Sequence, residues 1–187
     1  MQQTRPIPLT PEAKRENARY LQVYEANLEQ LKVVSLSILV WGPGPNRDSP
    51  IAEKRKDIRD ELLLRGHNAM FSEDIPTRKN GLSQKSKEFA QAQAADLIII
   101  LVEDSAGALG EAHDFCNDPN LAPKTCVMVP RHYRKGYSGQ GAFKDLEEAY
   151  GGIFWYGEGD IAICKVLTRA VRRAEALRNI RLRARTA

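Results

Sequence analysis

Residues 97–102, Leu-Ile-Ile-Ile-Leu-Val, constrain the chain more than any other segment. The run is unbroken, rich in β-branched side chains and far shorter than a membrane span. It lacks the alternation of a half-solvated strand, so it predicts a central parallel strand covered on both faces. The chain turns polar at Glu103-Asp104-Ser105, passes Gly107, and resumes apolar residues at Ala108, Ala112 and Phe115, the spacing of a helix face. Such a strand, tight loop and helix place a ligand just beyond the strand's carboxyl end.

The remainder of the chain repeats this alternation. Residues 33–41, 67–71, 125–129 and 153–156 read as further strands, with helical patterns at 50–65, 82–95, 143–150 and from Asp160 onward. The expected fold is therefore α/β: a doubly wound, five-stranded parallel sheet of Rossmann-like or flavodoxin-like type, with added N- and C-terminal helices. Residues 1–32 form an arm and a helix, and 33–187 a single domain. The arm is Pro-rich and polar; its helix starts at Pro11 behind Thr10 as N-cap and aligns Leu21, Tyr24, Leu28 and Leu31 on one stripe. That heptad-like seam either packs on the domain or pairs with another copy. The last helix should bury Ile163, Leu167, Ala170, Ala174 and Leu177.

Charge and cysteine usage narrow the functional classes. The net charge is only +4, but seven arginines lie between Arg169 and Arg185 against the single acid Glu175. Arg169, Arg172, Arg173 and Arg181 offer a face to nucleic acid or an acidic partner, or simply a solvated surface. No apolar run approaches the roughly 20 residues of a membrane span, and the N-terminus lacks a signal peptide's apolar segment, so a cytoplasmic protein with no membrane partner is expected. Cys116, Cys126 and Cys164 are odd in number and scattered, which predicts reduced, mostly buried thiols rather than disulfides. His113 and Cys116 are two potential ligands at helical spacing, too few for a metal centre.

Three expected strand ends carry polar residues. The first gives Gly42-Pro43-Gly44-Pro45-Asn46, where glycine lets a ligand approach the backbone, and Ser49-Pro50 opens a helix whose N-terminus attracts anions. No Gly-Lys-Ser/Thr follows, so it is not a Walker loop; a stiffened turn fits equally well. The second strand ends in Ser72-Glu73-Asp74, and the central one in Asp104-Ser105 before Gly107. Glu111 falls on the shoulder of its helix's apolar stripe, half-buried beside the strand ends, with His113 nearly opposite. A carboxylate there can attack the anomeric carbon of a nucleoside or stabilise the cation formed as a base departs; it can also merely complement the helix dipole. Residues 131–141 mix base, aromatic and glycine, which suits a lid or an ordinary exposed loop. Trp155 and Tyr156 suit base stacking or core packing.

In these residues the chain resembles the nucleoside 2-deoxyribosyltransferase-like family and its relatives among Toll/interleukin-1 receptor-like domains. The strand ending in Gly42-Pro43 is similar to that family's strand-Gly-Pro opening. Ala95-Asp96 before an apolar strand, then Asp104-Ser105-Ala106-Gly107 and Glu111, resembles its Ala-Asp strand and Asp-x-Gly-Thr-x-x-Glu element. Ala108 stands where that element has threonine, and Glu111-Ala112-His113 replaces its Glu-x-Gly. The resemblance implies that Glu111 and Asp104 are catalytic. It also implies that Asp104 and Ser105 contact the sugar and that Gly42 and Pro43 shape the ribose or base pocket; Gly44, Asn46, Asp74 and Gly107, at the same polar strand ends, complete the expected substrate-binding set. It further implies cleavage of the base–sugar bond of NAD, a nucleotide or a nucleoside without an added cofactor, as in bacterial antiphage effectors that act as oligomers or with a partner protein. The run from Gly107 to Glu111 also looks like an element of lysine-decarboxylase-like phosphoribohydrolases, which again act on an N-glycosidic bond. The alternatives are a nucleotide-signal binding module without chemistry, or an assembly or nucleic-acid-binding subunit that uses the basic last helix.

Overall fold

A computed structural model describes residues 10–44, 46–76, 81, 83–103 and 106–186, without the side chains at 31, 32, 106 and 186. The element order is α1 (Pro11–Val33), β1 (Ser37–Trp41), α2 (Pro50–Leu64), β2 (Asn68–Met70), α3 (Gln84–Ala94), β3 (Leu97–Leu101) and α4 (Ala106–Asn117). It continues with β4 (Thr125–Pro130), α5 (Tyr137–Gln140), α6 (Ala142–Tyr150), β5 (Ile153–Tyr156), α7 (Glu158–Ala162) and α8 (Lys165–Thr186). The five strands form one parallel sheet in the order β2-β1-β3-β4-β5, flanked by helices, which is the doubly wound α/β fold with extra helices. Residues 98–101 of β3 pair with β4, and residues 38–41 of β1 pair with residues 97–100 of β3.

The sheet's two faces explain the apolar strands. On one face, Ile38, Val40, Leu97, Ile99 and Leu101 meet α2 and α8 through Ile58, Leu62, Val166, Ala170 and Ala174. On the other, Leu39, Trp41, Ile98, Ile100 and Val102 meet Ala92 of α3, Ala112 and Phe115 of α4, and Phe143 and Leu146 of α6. Every residue of β3 is buried, as expected of a strand covered on both sides. Each such side chain contributes on the order of 2 kcal/mol of burial, so the central strands dominate the core.

The chain runs from β1 outward to β2 and then returns across β1 to β3. The helices that follow β1 and β3, α2 and α4, therefore lie on opposite faces, which makes the carboxyl ends of these two strands the switch-point crevice of the sheet. Asp96 closes the opposite end: its Oδ2 accepts from the Ser37 N–H at 2.8 Å, and its own N–H donates to the Ser37 carbonyl.

Several expectations require correction. The first strand begins at Ser37, because α1 runs on to Val33 and the Val34 carbonyl is taken by Arg178. The last helical segment is broken between α7 and α8, where Cys164 adopts φ +57°, and Ile163 beside the break is 63% exposed rather than buried. Only Cys126 is fully buried; Cys116 is half-buried and Cys164 exposed. Residues 131–140 are not an open loop but a 3₁₀ turn followed by α5. Among the described residues, no helix is long and apolar enough to cross a membrane.

Candidate functional site

The crevice is built on a buried arginine. Ser49 caps α2 by accepting the Ala52 N–H at 3.1 Å, Pro50 supplies the first helical position, and one turn later Arg55 reaches beneath the loop leaving β1. Its Nε and Nη2 donate to the Val40 carbonyl at 3.0 and 2.8 Å, and its Nη1 donates to the carbonyls of Gly42 at 3.3 Å and Pro43 at 2.9 Å. The same guanidinium forks onto Glu73 with contacts of 2.7 and 2.6 Å, and lies 4.3 Å from the centroid of the Phe71 ring. Arg55 has no exposed surface, so burying its charge depends on this full set of partners.

Gly42 follows from the same crossing of chains. Its φ is +149°, and a Cβ there would lie 2.9 Å from the Leu101 carbonyl oxygen and 3.1 Å from the Leu101 Cβ. Glycine is thus required because the exit of β1 presses against the end of β3. Pro43 is buried beside it, whereas Gly44 and Asn46 are exposed. A Cβ on Gly44 would meet nothing within 4 Å.

Two carboxyl groups near this loop have opposite electrostatics. Burial alone would push the Glu73 carboxyl up, but the Arg55 hydrogen bonds, a backbone N–H and Ser72 bring it below the ordinary glutamate value. Glu111, half-buried in the second turn of α4, is pushed up to about 7, chiefly by burial and then by the Glu88 charge. Arg55 opposes that rise, while Glu73 and Asp114 add to it. The charges of Arg55 and Glu73 thus act at Glu111 across the crevice. Among the described residues, the Glu111 carboxyl has no hydrogen bond or ion pair. At neutral pH it can accept or give up a proton, while Glu73 stays ionised.

The other expected site residues divide into groups. Asp74 turns outward toward Arg59 at 3.8 Å, so of the two acids ending β2 it is Glu73 whose charge acts at Glu111. Gly107 is exposed in the first turn of α4 with open space around it. Asp104 and Ser105 lie outside the described residues, as does Pro45. Glu103, just before them, pairs with Arg47 of the β1 loop at 3.1 Å. His113 does not face solvent: its Nε2 lies 2.8 Å from Ser138 Oγ and its ring packs on Phe143. Burial raises the Cys116 thiol to about 12 and raises Cys126 as well, which leaves neither suited to nucleophilic attack.

Trp155 and Tyr156 are buried; Trp155 Nε1 donates to Glu147, and the Tyr156 hydroxyl donates to the Val102 carbonyl at 2.6 Å. A cavity of about 380 Å³ lies beyond the ends of β3, β4 and β5, lined by Ile51, Glu103, Arg131, His132 and Tyr156 among others. The basic helix is partly committed: Arg181 pairs with Asp96 at 2.7 Å and Arg173 reaches the Pro123 carbonyl at 3.5 Å, while Arg169 and Arg172 are exposed. No group of three or more His, Cys, Asp or Glu side chains among the described residues could hold a metal ion.

Sequence reasoning missed Arg55 and its hold on Glu73. A signal was present, since Ile51, Arg55, Ile58 and Leu62 share one helix stripe and only Arg55 is charged. No protein-family model matches the chain, and no curated protein matches it at a significant level.

Proposed function

We propose that this chain is an N-glycosidase or glycosyl transferase that cleaves the base–sugar bond of NAD, a nucleotide or a nucleoside, with Glu111 as the reacting carboxylate. The observation that carries the reading is the Glu111 carboxyl itself, unpaired among the described residues and lifted to about 7 at the sheet's switch point. In its ionised form it can attack the anomeric carbon or stabilise the cation left as the base departs; the C–N bond breaks, its electron pair leaves with the base, and water or another acceptor takes the sugar. In its protonated form it can deliver the proton that a neutral base needs on departure. Glu73, kept ionised by Arg55, adds fixed negative charge where positive charge develops on the sugar. Gly42 and Pro43 form the backbone wall beneath. The resemblance to Toll/interleukin-1 receptor-like and deoxyribosyltransferase-like domains supports the substrate class and a role in antiphage defence.

The test is chromatography of NAD, ATP and deoxynucleosides after incubation with wild type and Glu111→Gln. Free base from the wild type and none from the folded variant would support the reading. Nucleotide binding without base release, unchanged in Glu111→Gln, would replace it with a binding module.

A further inference from the structure

The helix α1 lies apart from the chemistry. It is 23 residues long, its principal contact with the domain is α8, and its side chains are exposed along almost its whole length. Tyr20, Leu21, Val23, Tyr24 and Leu28 stand 65%, 46%, 55%, 48% and 38% exposed. A helix of this length gains its stability mainly by packing an apolar face, and the described residues of its own chain supply little cover for this one.

At about 100° per residue, Ala13, Asn17, Tyr20, Tyr24 and Leu28 share one face, with Lys14 and Glu25 together on one flank. The rings of Tyr20 and Tyr24 already stack, with centroids 6.2 Å apart. The seam is graded: small side chains occupy its first half and large ones its second. We propose that α1 is a self-association helix that pairs antiparallel with α1 of a second copy, centred on Tyr20.

That register sets Tyr20 against its own copy and, with a stagger of one residue (about 1.5 Å), brings Tyr24 beside Asn17 and Leu28 beside Ala13, so large side chains adjoin the space left by small ones. It also brings Lys14 within one residue of the level of Glu25 on the same flank twice, once on each side of the two-fold axis, and an isologous contact closes at two copies. A parallel pair would instead set Ala13 on Ala13 and leave a gap. The described chain joins the domain at Val34, roughly 21 Å along the helix from Tyr20, so the two domains would lie toward opposite ends of the pair.

Sedimentation velocity of the full chain across a wide concentration range tests this, with circular dichroism confirming that each variant is folded. The expected result is a monomer–dimer equilibrium that Tyr24→Glu and Leu28→Glu shift to monomer. Lys14→Glu and Glu25→Lys should each weaken association several-fold, and the two together should restore it. In a Cys164→Ser background, Tyr20→Cys should form an intermolecular disulfide and Leu28→Cys alone should not. A folded monomer at every concentration would overturn the proposal and leave a different protein as the occupant of the helix. A dimer insensitive to Tyr24→Glu and Leu28→Glu, or cross-linking at Leu28→Cys in place of Tyr20→Cys, would overturn it as well.

Discussion

Each end of the sheet is fastened by a buried arginine, and the two are used differently. At the carboxyl end, Arg55 ties the β1 exit to Glu73, yet Glu111 nearby carries a carboxyl that its surroundings resist ionising. At the amino end, Arg178 of α8 donates to the Val34 carbonyl at 3.1 Å and the Arg65 carbonyl at 2.6 Å, with Glu175 at 3.5 Å and His67 Nδ1 at 3.2 Å. Burial and the charges of Arg178 and Arg65 lower His67 to about 4, so it stays neutral there. The amino end settles its buried charges by pairing and neutralisation. The carboxyl end leaves one unsettled, and the proposed chemistry rests on that carboxyl.

The contrast is sharpest for Arg55→Met, which strands the Glu73 carboxylate and the Val40 and Pro43 carbonyls together. Because Glu73 is half exposed, the cost falls mainly on the orphaned carbonyls, and a loss of about 3 kcal/mol is expected by urea denaturation, together with loss of the proposed base release. A loss under about 1 kcal/mol would show that the crevice floor does not depend on this network. Arg178→Met should cost roughly 2–3 kcal/mol while leaving any catalytic rate intact in the folded fraction. The same end should respond to acid. Because His67 is held neutral, its contribution is present above about pH 6.5 and is lost as pH falls toward 4, an effect that His67→Gln should remove.

Glu111→Gln should move stability the other way. A carboxyl raised to about 7 contributes stability below its unfolded value near 4.5 and loses it as pH rises through 7. The variant should therefore gain about 1–2 kcal/mol at pH 8, the full shift discounted for partial exposure, and gain nothing near pH 4. Destabilisation at pH 8 would mean that Glu111 is structural. The smallest effect belongs to Gly107→Ala, where open space and a helical position predict a gain of roughly 0.5 kcal/mol. A simultaneous loss of activity would separate ligand approach from folding as the reason for glycine there.

Much of the fold was legible because patterning and topology reinforce one another. The run 97–102 and four further apolar segments gave five strands near their observed positions, and the alternation with helices gave the parallel sheet. Boundaries failed where tertiary contacts overrode local pattern, as when Arg178 captured Val34 and α1 displaced the start of the first strand. At the site, Glu111 was legible as a half-buried residue from helical phase alone. The Arg55–Glu73 pair was not, because 18 positions separate the partners and no local rule joins them. Arg178 likewise read as one more member of a basic stripe, although it is buried and spent on backbone carbonyls.

The strand order has a consequence for how the chain reaches its native state. β1 lies between β2 and β3, and its lock to Asp96 spans 59 positions, so a chain emerging during synthesis holds β1, α2 and β2 ready well before their neighbour exists. Until β3 arrives, Leu39 and Trp41 lack the face that buries them, and Gly42 has no Leu101 to press against. Closure of so distant a pairing is slow compared with helix formation, which makes docking of β3 the step that commits the molecule. Chaperones and proteases would therefore find their opening in the interval before that strand is inserted.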